Sequence, residues 1–463
     1  MHGWVPIAVQ VISAIVLALA VGWRSRLWRL VGWPLAAAVG CGTAYAVHHY
    51  LLADGISDDP APVTLWLWTA LAGMAVAALI LGWRGARRWR HGAALLSVPL
   101  CLLSGLLVVN SWVGYTPTLE SAWNQLTAGP LPDQIRTSQA SVGALASSET
   151  PQTHGGVLSV DIPANASHFK HRGELVYLPP AWFSSNPPPQ LPTVMMIGGQ
   201  FNTPADWVRT GYAVATMDDF AEALHGEAPV LVFVDSGGSF NNDTECVNGA
   251  RGNAADHLTK DVVPYMISNF GVSPDRSNWG VVGWSMGGTC ALDLTVTHPE
   301  LFSAFVDIAG DFSPNTGTKA QTISRLFGGD ADAWEAFDPS TVMSRHGHYN
   351  EVGGWFAISS SRPPPRDLVI TDAGSMRLAS NEAAANPGDQ AAAAYSLCAL
   401  GHSYGIDCAV INQPGHHDWP FAGRAFATAL PWLAGRLGTP GTPRIGLPGT
   451  PSLAQGGKSA GAG

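Results

Sequence analysis

The chain has 463 residues, more than one ordinary domain needs, with 46% hydrophobic and only 13% charged residues. A net charge of −10, with no basic stripe outside two short arginine-rich loops, excludes a nucleic-acid-binding role. Fifteen histidines and six cysteines show no metal-ligand spacing, so neither a metal nor another cofactor is expected.

The apolar excess lies at the front. Stretches 3–23, 31–52, 63–83 and 92–113 contain no Asp, Glu, Lys or Arg, and each is about long enough to cross a bilayer. They are read as four transmembrane helices forming a membrane domain, 1–113. The first lacks the basic start and clear cleavage site of a signal peptide. Arg24, Arg26 and Arg29 follow the first span, and Arg84, Arg87, Arg88 and Arg90 follow the third. The loop between the second and third holds only Asp54, Asp58 and Asp59. The positive-inside rule then makes the arginine loops cytoplasmic and puts everything after residue 113 outside the cytoplasm.

Residues 114–153 are rich in Ser, Thr, Pro, Ala and Gln and read as a linker. Residues 438–463 are a Gly/Pro/Ala/Ser-rich tail expected to stay without order. Between them, 154–437 alternates strands with helices. Strands are expected at 157–162, 174–178, 193–197, 230–235, 279–283, 304–309, 355–359 and 408–412, and helices at 254–270, 286–297, 390–404 and 422–437. Several strands are unbroken apolar runs, as in a sheet covered on both faces, so the fold class is α/β with a mainly parallel sheet. Of the exported cysteines, Cys398 and Cys408 flank a helix-to-strand return where a disulfide is possible, and Cys290 is expected as a buried thiol.

The sharpest signal is Gly283-Trp284-Ser285-Met286-Gly287, between the run 278–282 and a helical stretch. In a chain this rich in glycine the bare G-x-S-x-G pattern carries little. The strand before it and the helix after it make it a nucleophile elbow, with Ser285 as nucleophile. A serine needs a base, and the base needs a carboxylate partner, in the chain order Ser, acid, His. The loop after the last strand, Gly415-His416-His417-Asp418, supplies His417, with His416 second. The acid should follow the strand at 355–359, where Asp367 comes first and Asp372 next; Glu382 and Asp389 lie further on. Two backbone N–H groups would hold the developing oxyanion: that of Met286, and that of Gln200 in Gly198-Gly199-Gln200-Phe201.

Residues 194–343 and the His417-Asp418-Trp419 loop resemble the esterase D and antigen 85 mycolyltransferase family of α/β-hydrolases. The matching pieces are Ile197-Gly198-Gly199-Gln200, 233–240, the Ser285 elbow, His298-Pro299-Glu300-Leu301-Phe302, Ala333-Trp334-Glu335 and Asp338-Pro339. The resemblance implies Ser285 as nucleophile, His417 as base, and Met286 and Gln200 as oxyanion donors. Two positions depart from the mycolyltransferases. Phe201 stands where they carry an arginine, and the acid segment is proline-rich where theirs is a short glycine-rich loop with a glutamate.

The expected function is a membrane-anchored serine esterase acting on acylated cell-envelope molecules outside the cytoplasm, by a Ser285–His417–Asp367 triad. Its partners would be an acyl ester or lipid-linked substrate and, through the four helices, the membrane. The first alternative is acyl transfer to a sugar or glycan. The second is a degenerate hydrolase serving as the binding module of a membrane sensor or transporter; spans without charged residues argue against an ion path.

Overall fold

The computed structural model describes residues 4–22, 25–54, 61–83, 87–113, 131, 133–135, 153–360 and 389–448. They form two compact units, one built on four N-terminal helices and one α/β.

In the helical unit, α1 is Trp4–Val21, α2 is Trp33–Asp54, entered through a π-turn at Trp28–Gly32, α3 is Val63–Gly82 and α4 is Arg88–Val113. The stretches Trp4–Val21, Trp28–Ala53, Val63–Gly82 and Arg88–Trp112 are each long and apolar enough to cross a membrane. Packing explains their sequences. α2 and α3 meet at Gly40 and Gly73, where a Cβ on Gly73 would lie 2.5 Å from Thr43 Oγ1 and 3.2 Å from the Gly40 Cα. Small residues of this kind let two backbones approach closely. Between α1 and α4, the buried Ser13 and Ser104 hydroxyls are 2.9 Å apart. Ile7, Val11 and Ile15 of α1 and Leu102 and Leu106 of α4 are exposed on the unit's outside.

The α/β unit is built on eight strands: β1 (Gly156–Val160), β2 (Glu174–Leu178), β3 (Thr193–Ile197), β4 (Val230–Val234), β5 (Trp279–Trp284), β6 (Ala304–Ile308), β7 (Gly353–Ser360) and β8 (Asp407–Pro414). They form one sheet in the order β1-β2-β4-β3-β5-β6-β7-β8. β1 and β2 run antiparallel to their neighbours, and the other pairs are parallel. Every expected strand is present, and this is the α/β-hydrolase fold. All residues of β3, β4, β5 and β6 are buried, which is why these strands read as unbroken apolar runs. A short piece of the expected linker pairs with the sheet edge: Asp133 O accepts from Val157 N at 2.9 Å, and Ile135 N donates to Val157 O at 2.8 Å.

The helices are α5 (Pro204–Arg209), α6 (Ala213–Ala223), α7 (254–270, with a π-turn at His257–Val262), α8 (Met286–Thr297), α9 (Lys319–Phe327), α10 (Ala331–Glu335), α11 (Pro339–His346), α12 (Gln390–Ser403) and α13 (Trp419–Arg436). The sequence reading missed α5, α6, α9, α10 and α11. They are too short for a convincing 3.6-residue period, and in all but α6, which starts at Tyr212 without a capping side chain, the N-cap carries the signal instead. Thr203 and Thr318 form capping boxes, and the Asp330 and Asp338 carboxylates accept from the first turns of α10 and α11. Beyond α13, Thr439 and Leu447 are buried, and residues 449–463 of the expected tail lie outside the described residues.

One cysteine reading is corrected. Cys290 is not a thiol: it is bonded to Cys246, their Cα atoms 5.6 Å apart. The chain after β4 folds back over α8, a contact that spacing along the sequence does not reveal. Cys398 and Cys408 do pair, joining α12 to β8. The first bridge closes a separation of 44 residues and the second one of 10. Loop-closure entropy assigns them about 4 and about 3 kcal/mol. Thermal unfolding of the detergent-solubilised full chain should therefore show a larger fall in Tm for Cys246→Ser/Cys290→Ser than for Cys398→Ser/Cys408→Ser. The reverse order would contradict this account.

Candidate active site

The parallel strands β3, β4, β5, β6, β7 and β8 all end at one edge of the sheet, where ligands of open α/β sheets bind. Ser285 follows β5 at this edge and starts α8. Its φ is +59° and ψ −125°, a conformation an L-residue holds only under constraint. Glycines on both sides supply the constraint. A Cβ on Gly283 would run into the Gly287 carbonyl, and one on Gly287 into the backbone of Ile197 and Gly198. A Cβ on Gly288 would lie 2.5 Å from Asp307 Oδ1. Ser285 N donates to Ile308 O at 2.8 Å, and Gly288 N donates to Ser285 O at 2.7 Å. Met286 is the first residue of α8, where a helix leaves its N–H groups without intrahelical partners.

The loop leaving β3 lies directly against the serine. A Cβ on Gly199 would sit 3.1 Å from Ser285 Cβ and 3.2 Å from Trp284 O. Asn202 N donates to Gly199 O at 3.2 Å, closing a tight turn around Gln200 and Phe201, whose φ is +68°. The structure thus brings together Ser285, Met286 and the Gly199–Gln200 turn. Phe201 packs on the exposed Phe240, ring centroids 5.3 Å apart.

His417 lies between β8 and α13, after the strand end at which Pro414 pairs with Ser360. His416 is exposed and His417 half-buried, while Asp418 and Trp419 are buried. Asp367, Asp372 and Glu382 fall outside the described residues. Asp389 accepts from Ala392 N at 3.1 Å and caps α12.

The sequence reading missed a buried ionic network beside the β3 loop. Arg172 donates from its backbone N and Nε to Asp235 Oδ2, at 2.6 and 3.0 Å, and from one terminal nitrogen to Asp235 Oδ1 at 2.6 Å. The same nitrogen donates to Asn202 O at 2.8 Å. Burial alone would raise the Asp235 pKa, but the Arg172 hydrogen bonds and charge bring it below the usual carboxylate range. Behind it, Glu174 Oε1 accepts from Asp235 N and lies 3.1 Å from His257 Nε2. His257 Nδ1 lies 3.4 Å from Asp261 Oδ2. Burial would lower the His257 pKa, but Glu174 and Asp261 hold it above the ordinary imidazole value. The residue types Arg, Glu and Asp around β2 and β4 were the only sequence signal, and their pairing is tertiary.

Among the described residues, two groups bring metal-ligating side chains together. In His171, Glu174 and His257 the imidazoles stack, centroids 4.2 Å and planes 22° apart, so their lone pairs run side by side and no single ion lies in both ring planes. In Cys398, His402 and Cys408 the sulfurs are spent on the disulfide. Neither group fits a metal as arranged. Beneath the elbow, burial raises the Asp293 carboxyl well above its ordinary value and Asp307 to about 7. The loop after β6 and helices α9–α11 enclose a cavity of about 290 Å³ lined in part by Phe312, Asn315, Lys319, Trp334 and Glu335.

The crowding at Gly199 yields a prediction. Gly199→Ala should leave Tm within a few degrees of wild type but lower esterase kcat on the order of ten- to a hundredfold, because the added methyl pushes the loop off Ser285. An unchanged kcat would show that the loop does not serve the reaction.

Residues 170–433 match the family model described as a putative esterase. An uncharacterized protein of Corynebacterium glutamicum is 31% identical over 366 residues, covering 77% of this chain and 83% of that protein. The S-formylglutathione hydrolase of Paracoccus denitrificans is 32% identical over 99 residues, 21% of this chain and 34% of that protein. The diacylglycerol acyltransferase/mycolyltransferase Ag85A of Mycobacterium ulcerans is 29% identical over 160 residues, 31% of this chain and 46% of that protein. The match thus spans less than half the length of these last two. Among solved structures, an S-formylglutathione hydrolase from Agrobacterium tumefaciens is 16% identical, with a TM-score of 0.47, over 63% of this chain and 99% of that one.

Proposed function

The chain belongs to the putative esterase family and is a serine hydrolase or acyltransferase, and from that premise we propose that it is a membrane-tethered serine esterase whose catalytic unit faces away from the cytoplasm. Ser285 is the nucleophile, His417 the base and Asp367 the acid that orients it. The backbone N–H groups of Met286 and Gln200 stabilise the oxyanion. The observation that carries this reading is the strained Ser285 elbow with Gly199 pressed against it.

In the mechanism, His417 takes the Ser285 Oγ proton as the oxygen attacks the ester carbonyl. The carbonyl oxygen becomes an oxyanion that accepts hydrogen bonds from Met286 N and Gln200 N. Collapse of the tetrahedral intermediate expels the alcohol, which receives the proton from His417. Water, activated by the same histidine, then attacks the acyl-enzyme and releases the acid. A sugar hydroxyl in place of that water would make the same chemistry an acyl transfer. The similarity to Ag85A supports that second reading. Phe201, at the position where mycolyltransferases carry an arginine, favours the first.

The purified full chain should hydrolyse short p-nitrophenyl esters and be labelled by a fluorophosphonate. Ser285→Ala should abolish both, and His417→Ala should cost several powers of ten in kcat if the residues act as a unit. Retained turnover in Ser285→Ala would refute the assignment. For the acid, Asp367→Asn should cripple turnover and Asp372→Asn leave it nearly intact; the opposite pattern moves the acid to Asp372.

The four apolar helices and the arginine-rich loops support the orientation. An alkaline phosphatase fused to the C-terminus should be active, and a green fluorescent protein fused there dark. A fluorescent fusion with inactive phosphatase would reverse the topology.

A further inference from the structure

We propose that Arg172 is a positioning residue for catalysis: its guanidinium, clamped on Asp235, holds the carbonyl of Asn202 and thereby fixes the β3 loop that presents the Gln200 N–H to the oxyanion. The inference rests on the reading of Ser285 as nucleophile and adds a residue that lies outside the elbow, the base loop and the acid segment.

The loop from Gly198 to Asn202 has two ends. The first leaves β3 at Ile197, which is held by register with Val234 on one side and Gly283 on the other. The second end, Asn202, is in no strand or helix. Its backbone carbonyl is held by the Arg172 guanidinium at 2.8 Å, and the next residue, Thr203, is fixed by donating its N–H to Asp206 Oδ2 at 2.6 Å. Between the ends, Phe201 sits at positive φ and Gly199 lies against Ser285. The direction of the Gln200 N–H therefore depends on where Asn202 is anchored.

Arginine suits this task. One planar, permanently charged group meets both oxygens of Asp235 and a carbonyl on a different loop. Asp235 is itself held on several sides. It is buried, its backbone N–H is held by Glu174, and its Oδ1 also accepts from Gly237 N and Gly238 N. The chain of contacts from Glu174 through Asp235 and Arg172 to Asn202 thus transmits the rigidity of β2 and β4 to a loop that has little of its own. A lysine keeps the charge but not the fork, so it would serve Asp235 and release the Asn202 carbonyl.

The test uses the detergent-solubilised full chain, with active sites counted by fluorophosphonate titration so that misfolded molecules drop out. Arg172→Lys should lower kcat per titrated site roughly ten- to a hundredfold, with KM for a short ester changed less than about twofold. Asp235→Asn should do the same, and the double variant should be no slower than the worse single one, because both act through one clamp. A merely structural role would lower Tm and the number of titrated sites while leaving kcat per site unchanged, and that result overturns the inference. If Arg172→Lys yields no folded protein, Asp235→Asn carries the same comparison. Failure of the unaltered chain to label would overturn the Ser285 reading and this inference with it. Normal labelling with unaffected variants would overturn this inference alone.

Discussion

The geometry of the α/β unit turns on one constrained residue. Ser285 holds a backbone conformation that costs on the order of 1–3 kcal/mol, and it persists only because its surroundings leave no alternative. Those surroundings are mostly backbone, with one buried carboxylate. Gly283, Gly287 and Gly288 each lie where a single added carbon would collide with a carbonyl, a neighbouring strand or Asp307. The sheet supplies the rest: Ser285 N is bonded to Ile308 of the adjacent strand, so the turn cannot relax without breaking register between β5 and β6. A serine on a flat turn would keep its hydroxyl among the helix-capping groups. Here the turn lifts it to the edge where six parallel strands end.

That arrangement extends outward by contact. The β3 loop touches the serine through Gly199, Arg172 fastens the far end of that loop, and Asp235 and Glu174 tie Arg172 to the sheet. Buried charge is costly unless paired, and in this network it is paired with charged hydrogen bonds of good geometry. Removing one member leaves the others exposed to that cost, so the network behaves as one element. The helical unit is organised differently. Its helices have little but shape to recognise, and they use the Gly40–Gly73 approach and the Ser13–Ser104 hydroxyl pair to find their neighbours.

Much of this was legible from residues alone, for a physical reason. Strand periodicity and apolar length are local properties, so the eight strands, the four apolar helices and the elbow can be read from consecutive residues. Gly198-Gly199 and Ser285 could be linked because both flank strand ends, and strand ends share an edge. What escaped the reading is tertiary or too short. The five unforeseen helices have eleven residues or fewer, and four of them start at caps such as Thr318 and Asp338. Cys290 looked like a buried thiol because nothing in the sequence says that a loop 44 residues earlier returns to it. Arg172 sits in an unremarkable His-Arg-Gly-Glu stretch, and its contacts with Asp235 and Asn202 appear only when β2 and β4 lie side by side.

The Cys246–Cys290 bridge carries a consequence for biogenesis. It fastens the segment after β4 to the helix that bears the nucleophile, and it forms only where thiols are oxidised. Material made in a reducing cytosol would have the complete sheet and the strained serine but an untied cover on α8. Under the proposed orientation, maturation is then a matter of delivery as well as folding: the covalent tie between Cys246 and Cys290 waits for the side of the membrane on which the catalytic unit is proposed to face.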